Sequence, residues 1–242
     1  MSAANRSSGC CRKGSFGEVK PLFGVSSWSE LGGIILLSLA VSGTAVLLAA
    51  AAAVPLGTAL GLSRFRGRAV VLRVLYTLMG LPPTVAGLLV YIAVSKQGPL
   101  GGLNLLFTPA AMIIAQWVLV TPIITGLVAV AVEERDRRYR ETAAVLGATP
   151  WQTRLLVVRE ARPAVFSAIV AGLGRATAEV GAVMLVGGNI RGETRVMTTA
   201  ILLETRRGNF GDALVLGLVL LVIGFAINSY VHRLQVGKEG RR

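Results

Sequence analysis

The amino-acid sequence predicts an all-α integral membrane protein with about five transmembrane helices. Three observations carry this reading. First, 53% of the 242 residues are hydrophobic and only 15% are charged, which leaves too little polar surface to coat a water-soluble globule. Second, the apolar residues gather in stretches without Asp, Glu, Lys or Arg, between Glu30 and Arg64, Arg73 and Lys96, Lys96 and Glu133, and Asp212 and Arg233. Each reaches or exceeds the roughly 20 residues that a helix needs to cross a hydrocarbon core of about 30 Å. Third, a further run over about residues 164–188 is interrupted only by Arg175 and Glu179, one helical turn apart and able to pair inside the span. The runs are continuously apolar, whereas barrel strands alternate polar and apolar residues, so the spans are helical.

Residues 1–28 mix Ser, Gly, Arg and Lys and hold no apolar segment of signal-peptide type, so they read as a flexible tail, and the first helix directs insertion. Cys10 and Cys11 are adjacent, with neither metal-ligand nor disulfide-framework spacing, and receive no function. The transmembrane unit covers residues 29–234. Helix one, about 31–62, exceeds the minimum span and carries Pro55 near its end. Helix two, about 74–95, is broken by Pro82 and Pro83, which remove two backbone donors and force a bend suited to a pathway wall. For Pro55, Pro109 and Pro122, packing and function remain equal readings. Lys96 to Gly102 is a short Gly- and Pro-containing turn. Helix three covers about 109–132, a charged loop follows over 133–163, helix four covers about 164–188 and helix five about 213–231. Residues 235–242 form a C-terminal tail.

Five spans put the termini on opposite sides. With the C-terminus inside, the inner segments hold fifteen Lys and Arg and the outer ones nine, so the positive-inside rule places the N-terminus outside and the C-terminus in the cytoplasm. The net charge of +13 would suggest nucleic acid in a soluble protein; here the Arg residues sit between spans, where they set topology, and nucleic acid is not an expected partner.

The loop from Glu133 to Arg162 is too charged to span and too patterned for a linker. Two short helices fit it. The first is expected to end at Gly147, which readily takes the left-handed cap conformation, with Ala143, Ala144 and Leu146 available for close packing. The second starts at Thr149, with Pro150 in the first helical position and Gln152 completing a capping box. Trp151 is thereby presented at the tip. Small residues and a Trp between Arg-rich flanks suit insertion into a groove on a cytoplasmic partner; the alternative is a basic loop lying on anionic headgroups.

Glu141, Thr142 and Ala143, with Gly147 four residues on and Ala148-Thr149-Pro150-Trp151-Gln152 behind, resemble the EAA-x-x-x-G loop of binding-protein-dependent ABC importer permeases. The resemblance covers nearly everything after residue 28. It implies the type I importer permease fold, and it implies that Glu141, Ala143, Gly147, Thr149 and Trp151 lie where the permease meets a cytoplasmic ATP-binding subunit. The sequence departs from the family where a Leu-Pro is usual, having Arg159 and Glu160, with proline only at Pro163. Leu81-Pro82-Pro83, Val85-Ala86-Gly87, Gly98-Pro99-Leu100-Gly101 and Glu179 followed by Gly187-Gly188-Asn189 are similar to the oxyanion branch. The stretch Gly188 to Gly192 and Thr194 to Ile201 looks most like tungstate permeases, with molybdate and sulfate permeases as the alternative.

Arg175 and Glu179 are costly to bury, and two readings stand equally: a pathway element for a dianion, or a pair that fixes packing. Gly172 and Gly174 allow close helix approach under either. Pro82, Pro83, Arg175 and Glu179 are the pathway or gate candidates. An amphipathic stretch, Thr194 to Arg207, is expected at the outer interface, with Arg191, Arg195, Arg206 and Arg207 as contacts for an extracytoplasmic substrate-binding protein. A membrane enzyme is disfavoured, since His232 is the only histidine and no HExxH, G-x-S-x-G or P-loop pattern occurs. A structural scaffold would not explain the loop. The expectation is therefore a bacterial inner-membrane transport subunit with no catalytic residue, metal site or cofactor of its own, working as two copies in membrane lipid.

Overall fold

The computed structural model describes residues 28–239. The two cysteines and most of the N-terminal tail lie outside the described residues. These form eight α-helices and one 3-10 turn: α1 Trp28–Leu62, α2 Arg68–Met79, α3 Pro83–Val94, the turn Gly101–Leu103, α4 Pro109–Val145, α5 Pro150–Thr177, α6 Gly181–Gly187, α7 Met197–Arg206 and α8 Phe210–Glu239. By length and composition α1, α4 and α8 each suffice to cross a membrane alone. Two bent pairs, α2 with α3 at 97° and α5 with α6 at 58°, are together long and apolar enough for one crossing each, which gives five candidate spans.

α1 lies along α4 on a seam of small residues. Val41, Ala45, Ala49 and Ala53 are buried at helical spacing, and Gly57 and Gly61 continue the stripe. A Cβ on Gly57 would lie 2.7 Å from the Thr125 carbonyl oxygen, and one on Gly61 2.8 Å from that of Ala129. Small residues four apart let two backbones approach, which is how helices gain packing energy where lipid is as apolar as leucine. α4 serves two cores. Its first half meets α1, α3 and α6 around Val41, Ala86, Ala111, Met112 and Val183, and its second half meets α1 and α5 around Ala53, Ile124, Val128, Val132 and Val157.

The span expected over 74–95 is broken at Pro82 and Pro83 as expected, but the segment begins earlier, at Arg68. α2 begins at Arg68, because that arginine is held at the helix start by two partners described below, and it stops at Met79. Pro82 is extended, with φ −58° and ψ 129°, and Pro83 opens α3. A residue before proline is kept out of the helical region, so Leu81 and Pro82 together cannot continue the helix.

The charged loop also departs from the two short helices expected of it. α4 runs unbroken for 37 residues to Val145 and α5 starts at Pro150 and runs to Thr177, so residues 133–163 are the ends of two long helices forming a hairpin. Nothing between Val132 and Glu133 breaks a helix; the charge there ends the apolar stretch without ending the backbone hydrogen bonds. The span expected over 164–188 stops at Thr177 and resumes at Gly181. The last helix extends to 210–239, beyond the 213–231 required to span. Of the two glycines expected to allow close approach, Gly172 does so, since its Cβ would lie 2.8 Å from the Ile124 side chain; a Cβ on Gly174 would meet open space.

Gly57→Val drives a branched side chain into the Thr125 carbonyl and is expected to cost about 1–3 kcal/mol, lowering the unfolding temperature of the purified protein. Gly102→Val, whose Cβ meets open space, is the control, and equal melting of the two variants would contradict a tight seam.

Candidate functional site

The hairpin tip is the most apolar exposed surface that the two long helices carry beyond the apolar spans. Leu146 follows the last turn of α4, and Gly147 adopts φ +75°, a left-handed value open to glycine at little cost. Thr149 caps α5: its Oγ1 accepts from the Gln152 N–H at 3.3 Å, and the Thr149 N–H donates to Gln152 Oε1 at 2.8 Å. The box fixes the exit from the turn, so Trp151 projects outward with 72% of its surface exposed. Val145, Leu146 and Leu155 are exposed beside it, the first two at 88% and 80%. Sequence reasoning named Trp151 and placed Leu146 in packing; the structure turns Leu146 outward and adds Val145 and Leu155. Ala143 is buried and Glu141 exposed. The tip stands roughly 20 Å beyond Val132, from the rise of an α-helix over thirteen residues.

Inside the bundle, Arg175 Nη1 donates to Glu179 Oε2 at 2.8 Å. The pair does not sit within one helix. Glu179 lies just past the end of α5, its Oε1 accepting from the Ala182 N–H at 3.0 Å and its backbone carbonyl accepting from Thr198 Oγ1 at 2.9 Å. The buried Glu179 carboxylate therefore joins the end of α5 to the start of α6, and the backbone carbonyl of the same residue ties in the start of α7. Beside it is a cavity of about 40 Å³ lined in part by Ser38, Ser42, Gln116, Thr177, Glu179 and Thr198. Gln116 is 3% exposed, and its Nε2 donates to the Ala176 carbonyl at 3.1 Å while Oε1 has no protein partner. Gln116 is the one amide side chain in the apolar stretch of α4, the signal by which sequence reasoning would have found it. Pro82 and Pro83 lie at the other break, and the two breaks meet: a Cβ on Gly87 of α3 would lie 2.6 Å from Ala182 Cα in α6.

At the end of the bundle away from the hairpin, Glu30 at the start of α1 holds both Arg191 and Arg195, the latter at 3.8 Å. The hydrogen bond that Arg191 donates to Glu30, reinforced by the carboxylate's charge, raises its pKa further above the guanidinium's ordinary value. Arg207 pairs with the buried Glu204 at 2.9 Å, and Asn209 Nδ2 donates to the same carboxylate at 2.8 Å. Arg206 is exposed. The stretch expected to lie on the outer interface is instead inserted at its start, with Thr194 and Met197 to Ala200 buried; Thr198 and Thr199 satisfy their hydroxyls on backbone carbonyls, which makes the burial of a polar run tolerable.

Three long apolar helices, two bent helix pairs and a protruding hairpin define a multi-pass helical membrane protein. Residues 53–236 match the family described as binding-protein-dependent transport system inner membrane component, and the chain belongs to that family of inner-membrane permeases. It is 46% identical over 202 residues to the tungstate uptake system permease protein TupB of Peptoclostridium acidaminophilum, covering 84% of this chain and 89% of that one. It is 38% identical over 159 residues to the protein of the same name from Campylobacter jejuni, 66% of each chain. The molybdenum transport system permease protein ModB of Escherichia coli is more distant, 27% identical over 219 residues, 86% of this chain and 96% of that one.

Glu179→Ala leaves the Ala182 N–H and one end of Arg175 without their acceptor. The expected loss is about 1–3 kcal/mol, at the lower end because 36% of the Arg175 side chain is not covered by protein. Thermal unfolding of the purified permease checks this, and a melting temperature equal to wild type would remove Glu179 from its structural role.

Proposed function

We propose that this chain is the permease subunit of an ATP-driven importer of tungstate, that two copies form the pathway, and that ATP is hydrolysed by a separate cytoplasmic subunit seated on the hairpin tip. The observation that carries the reading is the exposed apolar group Val145, Leu146, Trp151 and Leu155 on a capped turn between arginine-rich helix ends. A patch of that kind on a water-facing protrusion is what a partner groove covers. Glu141, Ala143, Gly147 and Thr149 shape or flank it. The chain itself binds no nucleotide and no cofactor in this scheme.

The ends of α1 support the proposed orientation. Glu30 stands beside Arg191 and Arg195, whereas the other end of α1 reaches the root of the hairpin at Glu133. With the hairpin in the cytoplasm, the N-terminus is outside and α8 ends inside. Arg191, Arg206 and Arg207, all exposed, offer the outer contact to a substrate-binding protein, with Arg195 behind them. The exposed face of α8, including Leu214, Leu218, Leu221 and Phe225, is left for lipid or the second copy. Pro82, Pro83, Arg175 and Glu179 are the pathway candidates, since they mark the two breaks that meet at Gly87 and Ala182. Tungstate is favoured over molybdate and sulfate by the degree of identity to the tungstate permeases.

Replacing Gly147 with Glu and Trp151 with Ala is expected to abolish co-purification of the ATP-binding subunit while membrane insertion persists; retained co-purification refutes the docking assignment. Uptake of tungstate, molybdate and sulfate by vesicles containing the assembled complex tests the cargo, and preference for either rival anion would displace tungstate.

A further inference from the structure

One side chain ties the root of the hairpin to both helices beside it. Arg68 opens α2, and its Nε donates to the Leu60 carbonyl at 3.1 Å, in the last turn of α1 where carbonyls lack helical partners. Its Nη2 lies 2.7 Å from Glu133 Oε2. Glu133 is the first charged residue after the apolar run of α4, the point at which the hairpin arm begins. The Nη2 atom is buried and not aligned for a hydrogen bond, so the contact is a charge pair, partly shielded from the solvent that weakens exposed pairs. A guanidinium suits the place because its rigid fork serves two partners in different directions, which an ammonium does less well.

The far end of α2 is fastened too. Met79 Sδ fills the hollow above Gly126 of α4, where a Cβ would lie 2.6 Å from the sulfur. α2 buries no residue fully, and a half-buried stripe of Leu72, Leu75 and Met79 lies along α4 between these two attachments. Past Met79 the chain turns through 97° into α3. α3 is seated on α6 at Gly87 and Ala182, and Glu179 holds the first turn of α6. From Glu133 to Glu179 there is thus an unbroken series of tight contacts in which Arg68 is the first link.

The geometry points to Arg68 as a positioning residue that hands displacement of the hairpin to the α2–α3 bend, so that the state of a partner at Trp151 is felt at the two helix breaks. This rests on the docking reading above. Without Arg68 the charged half of α4 is no longer fastened to the end of α1 and the start of α2, and movement of the tip is not passed to them. Adjacency alone does not establish coupling, which must be measured as a dependence between sites.

The measurement uses the assembled complex in liposomes, with the permease as wild type, Arg68→Ala, Arg68→Lys, Glu133→Gln and Arg68→Ala with Glu133→Gln. Two quantities are read: the amount of co-purified ATP-binding subunit, and the ratio of ATP hydrolysis with tungstate-loaded binding protein to hydrolysis without it. Arg68→Ala and the near-isosteric Glu133→Gln are expected each to lower that ratio about threefold or more, within the range by which intermediate residues alter coupling, with co-purification unchanged. The double variant is expected to fall no further than Arg68→Ala, as partners in one interaction do, and Arg68→Lys to lie between Arg68→Ala and wild type. Ratios equal to wild type overturn the inference, as do losses that add in the double variant, or basal and stimulated rates that fall together with the ratio preserved. Absence of the ATP-binding subunit from the wild-type complex would instead overturn the docking reading.

Discussion

Everything in this bundle is arranged around the flush contact of α1 on α4. Between helices in a bilayer, close packing, hydrogen bonds and lipid entropy must hold the structure, because lipid offers apolar side chains as good a home as a neighbouring helix does. The alanines at 45, 49 and 53 and the glycines at 57 and 61 meet that demand by removing side chains until backbone rests against side chain and carbonyl. α4 then presents its remaining faces to α3 and α6 at one level and to α5 at the other. A side chain added in the seam would separate all of them, since α4 belongs to both cores.

Against this fixed pair, two spans are broken, and each break is managed differently. The prolines at 82 and 83 remove donors, so fewer backbone groups need partners, and the chain turns without an added polar side chain. The break after Thr177 has no proline. There Glu179 supplies the missing acceptor for the Ala182 N–H and takes Arg175 as its counter-ion, while Gln116 and Thr198 reach the neighbouring carbonyls. Non-helical backbone at membrane depth is tolerated where protein supplies the hydrogen bonds, and the polar residues of this otherwise apolar interior gather at that place.

Much of this was readable in the sequence, and the misses have common causes. Uninterrupted apolar runs gave the spans, and the Thr149–Gln152 pattern gave the start of α5, because both are local signals. Charge was overread as a helix terminator: Glu133 ends the apolar run but not α4, and Arg68 at the start of α2 is held by Leu60 and by Glu133, the latter distant in sequence. Arg191 and Arg195 were legible as basic outer residues, but their partner Glu30 is about 160 positions away and carries no periodic signal. Arg175 and Glu179 were rightly read as able to pair, yet the i to i+4 spacing concealed that the helix ends between them. The burial of Thr194 and Thr198 was hidden for the same reason, since hydroxyls satisfied on backbone oxygens look polar in sequence and behave as filling in the fold.

The bare hairpin tip has a consequence for the life of the protein in the cell. A tryptophan, two leucines and a valine held out in water on a rigid stalk make the kind of surface that chaperones retain and quality-control proteases recognise once a chain stays unfolded or unaccompanied. On the proposed arrangement, permease synthesised in excess of its ATP-binding subunit carries that mark and matched permease does not. On that arrangement the residues proposed to seat the ATP-binding subunit also set the subunit balance, by making survival in the membrane conditional on assembly.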